Sequence, residues 1–215
     1  MIGKIKSFVI KIPLIRQIYA YFLGPKRYKY LFETITRKKA RRIMEIGVWD
    51  GEHGLQMINA AKKVHGRDVE YYGFDLFEEL DSDKFNSEIA KQPPSMKQVL
   101  KKLKKTGCKI RLFKGDTART LPKYVIKLPM MDFIFIDGGH SIATISNDWR
   151  YSSQLMSKNT VVIFDDYWNR EDAGCKKVIE NIDRKRYNVK ILPIQDRFKK
   201  NWGVLKINFV NVTKK

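Results

Sequence analysis

The 215-residue sequence has little cysteine and no long apolar run. Its two cysteines, Cys108 and Cys175, are too few for a disulfide framework and are not spaced as metal ligands. No stretch approaches the roughly 20 consecutive apolar residues that a membrane-spanning helix needs. These absences argue against a disulfide-stabilised secreted scaffold and against helical membrane spans, so we expect a cytoplasmic protein.

Acidic residues are also scarce, because 23 Asp and Glu stand against 43 Lys and Arg, which gives a formal charge of +20. Such a charge favours anionic partners, namely nucleic acid, anionic lipid headgroups or acidic saccharides. The basic residues are spread from end to end, so an ordinary basic surface explains the charge equally well. The length and the hydrophobic content of 43% are typical of one globular domain with a substantial core.

The N-terminal segment, residues 1–23, alternates basic side chains with Ile, Leu, Phe and Tyr. Lys11 and Pro13 interrupt its apolar run, and no small-residue cleavage site follows, so a signal peptide is not expected. The pattern favours an amphipathic helix that lies on an anionic membrane surface or covers a cleft, and a helix packed on the core is the alternative. We therefore divide the chain into a basic helical region, 1–40, and a main domain, 41–215.

Beyond this region, strand-like and helix-like segments alternate. Five short apolar segments are predicted as strands: Arg42–Ile46, Val69–Phe74, Lys109–Lys114, Met131–Ile136 and Thr160–Phe164. The intervals between them are wide enough for crossover helices: 51–65, 78–106, 117–127 and 141–157. This alternation predicts an α/β fold with a doubly wound, mostly parallel sheet.

The end of the chain breaks this alternation. Two further strands, Val189–Ile194 and Trp202–Val210, are separated only by a charged loop, Gln195–Asn201, which has no room for a helix. They predict an antiparallel hairpin that completes a seven-stranded sheet.

An acidic residue closes each of the five predicted parallel strands. Ligands of such sheets bind at the carboxyl ends of the strands, so these acids should line one cleft. They are Glu45, Asp75, Asp116, Asp137 and the pair Asp165–Asp166.

The first of these turns reads acid-x-Gly-x-x-x-Gly, from Glu45 to Gly51. Gly47 and Gly51 permit a sharp turn and a close approach of ligand to backbone. Glu45 can accept hydrogen bonds from a ligand. The third glycine of dinucleotide-binding oxidoreductases is missing, which disfavours an NAD-dependent enzyme. An ordinary strand-to-helix turn is the alternative interpretation.

The next two acids have two interpretations each. Asp75 follows the glycine turn at a spacing similar to that of the acid that binds a ribose diol in nucleotide-binding folds, and it could instead cap the following helix. Asp116 could contact an adenine edge or cap the helix at 117–127.

Asp137, Asp165 and Asp166 should converge at the carboxyl edge of two neighbouring strands. Three carboxylates suit Mg²⁺, Mn²⁺ or Ca²⁺, and helix capping or coordination of loop amides is the alternative. His140 lies in a glycine-containing turn after Asp137, where a neutral imidazole could take a hydroxyl proton. A lone histidine is more often structural, and ordinary roles are expected for His53 and His65.

Together these motifs resemble a class I S-adenosylmethionine-dependent methyltransferase over roughly residues 40–210. The segments Phe135–His140 and Ile163–Tyr167 are similar to those of metal-dependent O-methyltransferases of the macrocin O-methyltransferase type and, more distantly, of catechol O-methyltransferase. The Asp-Asp pair departs from the Asp-Asn of the latter.

The resemblance implies a role for each motif. Glu45, Gly47, Gly51, Asp75 and Asp116 would bind S-adenosylmethionine. A divalent cation, Mg²⁺ by preference, would be held by Asp137, Asp165 and Asp166, and His140 would be the catalytic base. The acceptor would be a hydroxyl of a sugar, glycan or secondary metabolite.

Two other functions stay open at this point. An RNA methyltransferase would use the positive charge, although the Asn/Asp-Pro-Pro-aromatic pattern of enzymes that methylate base nitrogens is absent. A non-catalytic module that binds glycans or a membrane surface would not bind the cofactor. A homo-oligomer is compatible with all of these functions.

Overall fold

The computed structural model describes residues 26–79 and 94–215. These residues contain one sheet of seven strands: β1 (Arg42–Ile46), β2 (Glu70–Asp75), β3 (Lys109–Lys114), β4 (Met131–Ile136), β5 (Met156–Trp168), β6 (Tyr187–Lys200) and β7 (Gly203–Lys214). The spatial order is β3-β2-β1-β4-β5-β7-β6. The first five strands are parallel, whereas β7 runs antiparallel to β5 and β6. The predicted fold class, with its closing hairpin, is therefore confirmed.

One helix precedes β1, and helices occupy the intervals between successive strands from β1 to β6. They are α1 (Lys29–Lys38), α2 (Glu52–His65), α3 (Met96–Lys104), α4 (Thr117–Tyr124), α5 (Ile142–Ser152) and α6 (Lys176–Glu180). Short 3-10 turns cover Lys26–Tyr28, Phe77–Glu79, Val125–Lys127 and Ser153–Leu155. Among the residues that the structure describes, no helix is long and apolar enough to cross a membrane.

Two hydrophobic clusters lie on opposite faces of the sheet. In β1, Ile43 belongs to the cluster that contains Leu31 of α1 and Val99 of α3, whereas Met44 belongs to the cluster that contains Leu121 of α4. Successive side chains of a strand point to opposite faces, so a central parallel strand that is covered on both faces needs apolar residues at consecutive positions. This arrangement explains the short continuous apolar runs of the sequence.

Three strands, β5, β6 and β7, are longer than the sequence pattern indicated. Strand β5 begins at Met156 and continues to Trp168. The predicted loop Gln195–Asn201 is mostly strand, because β6 runs to Lys200 and only two residues separate it from β7. Its backbone groups pair with β7, and most of its charged side chains remain exposed, so the local charge does not disrupt the strand.

The predicted helix of residues 1–23 lies outside the described part of the chain. Residues 26–40 pack on the main domain, since Leu31, Ile35 and Ala40 are fully buried in its core. The division between 1–40 and 41–215 stays a prediction.

Candidate active site

A cleft of about 630 Å³ opens at the carboxyl edge of the parallel strands. Its walls come from the turns that follow β1, β2, β3 and β4 and from the first turns of α2, α4 and α5. The predicted site residues that line this cleft are Gly47, Asp75, Asp116, Asp137 and His140. Turns that are distant along the chain thus meet at one site, as expected for this type of sheet.

Gly47 allows two of these turns to meet. Its φ is +89°, and a Cβ added there would lie 1.9 Å from the carbonyl oxygen of Asp137. Its backbone N–H donates to the carbonyl oxygen of Phe74 at 2.9 Å, which ties the turn to β2. Gly51 has φ +72° and directly precedes α2 as its N-cap residue, but it does not line the cleft. Only glycine adopts both conformations without strain.

Glu45 lies behind this turn and does not line the cleft. Its side chain is fully buried and accepts a hydrogen bond from the Tyr71 hydroxyl. Burial raises the pKa of Glu45 to about 8, and the nearby Asp75 and Asp50 add to this effect. The carboxyl group therefore stabilises the back of the turn, and the direct ligand contact predicted for it stays a prediction that this position does not favour.

Asp75 lines the cleft in a fixed orientation. Its Oδ2 accepts the Trp49 N–H at 2.8 Å, and its Oδ1 accepts the Phe77 N–H at 2.7 Å. Burial raises the pKa of Asp75, although these amide hydrogen bonds oppose the shift. A carboxylate has about four lone-pair positions, so each oxygen can still accept a ligand hydroxyl.

Asp116 caps a helix, as one of its two interpretations predicted, and its contact with an adenine stays a prediction. Its Oδ1 accepts the N–H of Ala118 at 2.9 Å and so caps α4, and the residue also lines the cleft. The cap fixes the start of α4, which faces the cleft through Thr117 and Ala118.

We use the term acidic edge for Asp137, Asp165 and Asp166. Asp165 is held by a residue that the sequence did not point to, Arg27 of the 3-10 turn before α1. The Arg27 Nε donates to Asp165 Oδ1 at 3.0 Å, and its Nη2 donates to Oδ2 at 2.8 Å. The Tyr28 hydroxyl also donates to Asp165 Oδ2 at 2.8 Å.

Asp166 has different partners and lies at an irregularity of β5, where its φ is +60°. Its Oδ2 lies 2.7 Å from Nδ1 of His140, and its Oδ1 accepts the Trp168 indole N–H at 2.9 Å. Asp165 and Asp166 therefore do not form a joint pair of oxygens, and each serves a different partner.

Asp137 faces a small aromatic group, Tyr28 and His53, that the sequence did not predict at this site. The Tyr28 hydroxyl is 3.5 Å from Asp137 Oδ2, and Nδ1 of His53 is 3.9 Å from it. The rings of Tyr28 and His53 stack with centroids 4.1 Å apart. Burial raises the pKa of Asp137 well above its ordinary value, and the charges of Asp165 and Asp166 raise it further.

His53, for which the sequence suggested an ordinary role, lines the cleft. Burial lowers its pKa, although the charges of Asp165 and Asp50 oppose the shift. Its position in the first turn of α2, directly after the glycine turn, was the available signal.

The acidic edge does not fit the divalent cation predicted for it. Among residues 26–79 and 94–215, no group of three or more His, Cys, Asp or Glu side chains is arranged to hold a metal ion. Asp165 makes a bidentate pair with Arg27, whereas metal coordination would need its lone pairs directed at an ion.

Comparison with known proteins agrees with this architecture. A family model described as a methyltransferase domain matches residues 44–167, more than half of the chain. No protein of curated function matches the sequence.

Solved structures of similar fold include three O-methyltransferase structures. A putative O-methyltransferase from Klebsiella pneumoniae has a TM-score of 0.64 at 16% identity and covers 99% of this chain and 96% of its own. The O-methyltransferase TomG of Streptomyces achromogenes, solved with SAM, has a TM-score of 0.59 at 15% identity, and the match covers 98% of this chain and 96% of TomG. The Bacillus cereus O-methyltransferase, solved with SAH, has a TM-score of 0.60 at 17% identity, and the match covers 97% of this chain and 90% of the Bacillus enzyme.

Proposed function

The chain belongs to the methyltransferase-domain family, and from this premise we propose that it transfers the methyl group of S-adenosylmethionine to a hydroxyl oxygen of a sugar, glycan or other small-molecule acceptor. One observation carries the proposal. The cleft at the carboxyl edge brings Asp75 and Asp116, which suit a nucleoside, together with the His140–Asp166 pair, which suits removal of a proton.

The cleft fits the cofactor in size and chemistry. Its volume lies within the ~300–1,000 Å³ that small-molecule sites usually have. Asp75 would accept hydrogen bonds from the two ribose hydroxyls, and the turn at Asp116 would border the adenine. The absence of a side chain at Gly47 keeps the β1–α2 turn close to β4 and so shapes the wall between them. When bound, S-adenosylmethionine supplies an electrophilic methyl group.

The residues of the chain supply the proton acceptor. With Nδ1 of His140 2.7 Å from Asp166, the carboxylate favours the tautomer that carries its proton on Nδ1. Nε2 is then the nitrogen that takes the proton from an acceptor hydroxyl in the cleft. Asp166 also stabilises the imidazolium that results, as an acid behind a catalytic histidine does in other enzymes.

The experiment measures transfer of tritium from S-[methyl-³H]adenosylmethionine to panels of phenols, sugars, glycans and RNA. We expect the wild type to label a hydroxyl compound. The rate for His140→Asn should be lower by a factor of about 100 or more, since general-base catalysis contributes about 10²–10⁴-fold. The matched control is His65→Asn, because His65 lies outside the cleft and contacts the carbonyl oxygen of Lys39.

Two results would contradict the proposal. Equal rates for the wild type and His140→Asn would exclude the histidine as base. Labelling of RNA alone, with a rate that falls steeply with salt, would favour the RNA methyltransferase instead.

A further inference from the structure

The acidic edge contains a cation of its own. Arg27 is 5% exposed, and its guanidinium forms a bidentate pair with Asp165. Its remaining terminal nitrogen, Nη1, donates to Asp196 Oδ2 of β6 at 2.8 Å. The guanidinium carbon also lies 5.2 Å from the centre of the Phe209 ring. Since arginine is always protonated in proteins, a fixed positive charge is part of this edge.

The turn that carries Arg27 is itself held in place. The backbone N–H groups of Lys26 and Arg27 donate to the two oxygens of Asp196, at 2.9 and 3.4 Å. The same carboxylate therefore binds the side chain and the backbone of this turn. Because Asp196 holds both the backbone and the guanidinium of Arg27, little further side-chain entropy is lost when the guanidinium also pairs with Asp165.

The hydrogen bonds of Asp165 leave no position for a metal ion. Oδ1 accepts the Arg27 Nε–H at 3.0 Å and the backbone N–H of Asp166 at 2.6 Å. Oδ2 accepts the Arg27 Nη2–H and the Tyr28 hydroxyl, both at 2.8 Å. These four donors match the roughly four lone-pair positions of a carboxylate.

The other two acids also have partners of their own. The oxygens of Asp166 contact His140 and Trp168. Asp137 is left with the Tyr28 hydroxyl and the edge of His53. A hard cation needs several converging oxygens. Asp137 Oδ2 and Asp165 Oδ2 do approach the same Tyr28 hydroxyl, but the Arg27 guanidinium already occupies Asp165 there.

We propose that the Arg27 guanidinium takes the place of a divalent cation at the acidic edge, so that this chain does not bind Mg²⁺ or Mn²⁺ there. The consequence that methyl transfer needs no divalent cation rests on the proposed function. The statement about cation binding does not, because it concerns the folded protein alone.

The test measures binding of Mn²⁺ alone to the full chain, by calorimetry and by the electron paramagnetic resonance signal of free Mn²⁺. We expect no saturable site in the wild type up to millimolar Mn²⁺, and the same for Asp165→Asn. Arg27→Met removes the charge and keeps a long side chain, so we expect a Mn²⁺ site to appear. That site should be lost again in the double variant Arg27→Met/Asp165→Asn, and Arg27→Lys, which keeps the charge, should not acquire it.

Two results would overturn the proposal. One is a saturable Mn²⁺ site in the wild type that Asp165→Asn weakens 10-fold or more. The other is a folded Arg27→Met variant, verified by its melting curve, that binds no more Mn²⁺ than the wild type. If Arg27→Met does not fold, Arg27→Gln replaces it. The comparison of Mn²⁺ binding by the wild type and by Asp165→Asn tests the proposal even if neither Arg27 variant folds. Titration with S-adenosylmethionine is run separately, because a failure to bind it would count against the proposed function and not against this one.

Discussion

The buried carboxyl of Glu45 gives the sharpest prediction about stability. Its pKa of about 8 in the folded protein lies above the ordinary 4.5, chiefly because of burial. A raised pKa means that the folded protein holds the proton more firmly than the unfolded chain does. The stabilising effect of the protonated group is therefore complete below about pH 4.5 and is lost as the pH rises through 8.

The size of this effect follows from the two pKa values. At ~1.36 kcal/mol per pKa unit, the difference corresponds to about 5 kcal/mol in total, of which about 4 kcal/mol falls between pH 5 and pH 9. Glu45→Gln has nearly the same shape, can still accept the hydrogen bond of Tyr71, and cannot ionise. We therefore expect the free energy of unfolding of the variant, taken relative to that of the wild type, to rise by about 4 kcal/mol between pH 5 and pH 9.

Urea denaturation at pH 5, 6, 7, 8 and 9 measures this difference. The matched control is Glu70→Gln. Hydrogen bonds from Tyr72 and Lys109 lower the pKa of Glu70 to about 2, so Glu70 is ionised throughout this range in the folded protein. Its effect on stability should stay nearly constant above about pH 5.5. A Glu45→Gln difference that does not change with pH would refute the reasoning.

Two smaller predictions concern the turns of the cleft. Gly47→Ala should destabilise the fold by about 3 kcal/mol or more, because its Cβ would meet the Asp137 carbonyl oxygen as well as strain the backbone. Gly66→Ala, with φ +60°, ψ −125° and open space, has the backbone strain without the clash and should cost less, about 1–3 kcal/mol. Melting curves of the two variants measure these losses of stability, and equal losses would contradict this account. Asp116→Ala should cost about 0.5–2 kcal/mol, since the Ala118 N–H loses its cap, and an unchanged denaturation midpoint would contradict it.

The fold was predictable because most of its information is local. Strands β1, β3 and β4 have the predicted bounds, since each is a short apolar or β-branched run that ends at an acid or a glycine. The extension of β6 was not predictable, because Gln195–Lys200 is charged and its strand conformation depends on pairing with β7.

The site was predictable only as far as strand ends determine it. Gly47, Asp75 and Asp137 share a cleft because the carboxyl ends of parallel strands share an edge. The direction of a side chain, however, depends on its exact position within the strand. Glu45 is one residue before the strand end and so points behind the turn, towards Tyr71.

Long-range contacts lay beyond sequence patterns altogether. Arg27 reaches Asp165 across 138 residues of chain, and no local motif signals such a pair. The structure shows contacts of the acidic edge with other groups of the protein, and the proposal that Arg27 replaces the predicted cation rests on these contacts. The homo-oligomer, the cytoplasmic localisation and the membrane contact of residues 1–23 stay predictions.

Titration calorimetry with S-adenosylmethionine tests the central claim most directly. The account predicts saturable binding of one molecule per chain to the wild type, and at least 10-fold weaker binding to Asp75→Ala, which removes the acceptor of the ribose hydroxyls. Glu70→Ala, a change to an acid of β2 outside the cleft, should leave the affinity unchanged. No saturable heat with the wild type, or equal affinity for Asp75→Ala, would contradict the claim that this cleft is the methyl-donor site.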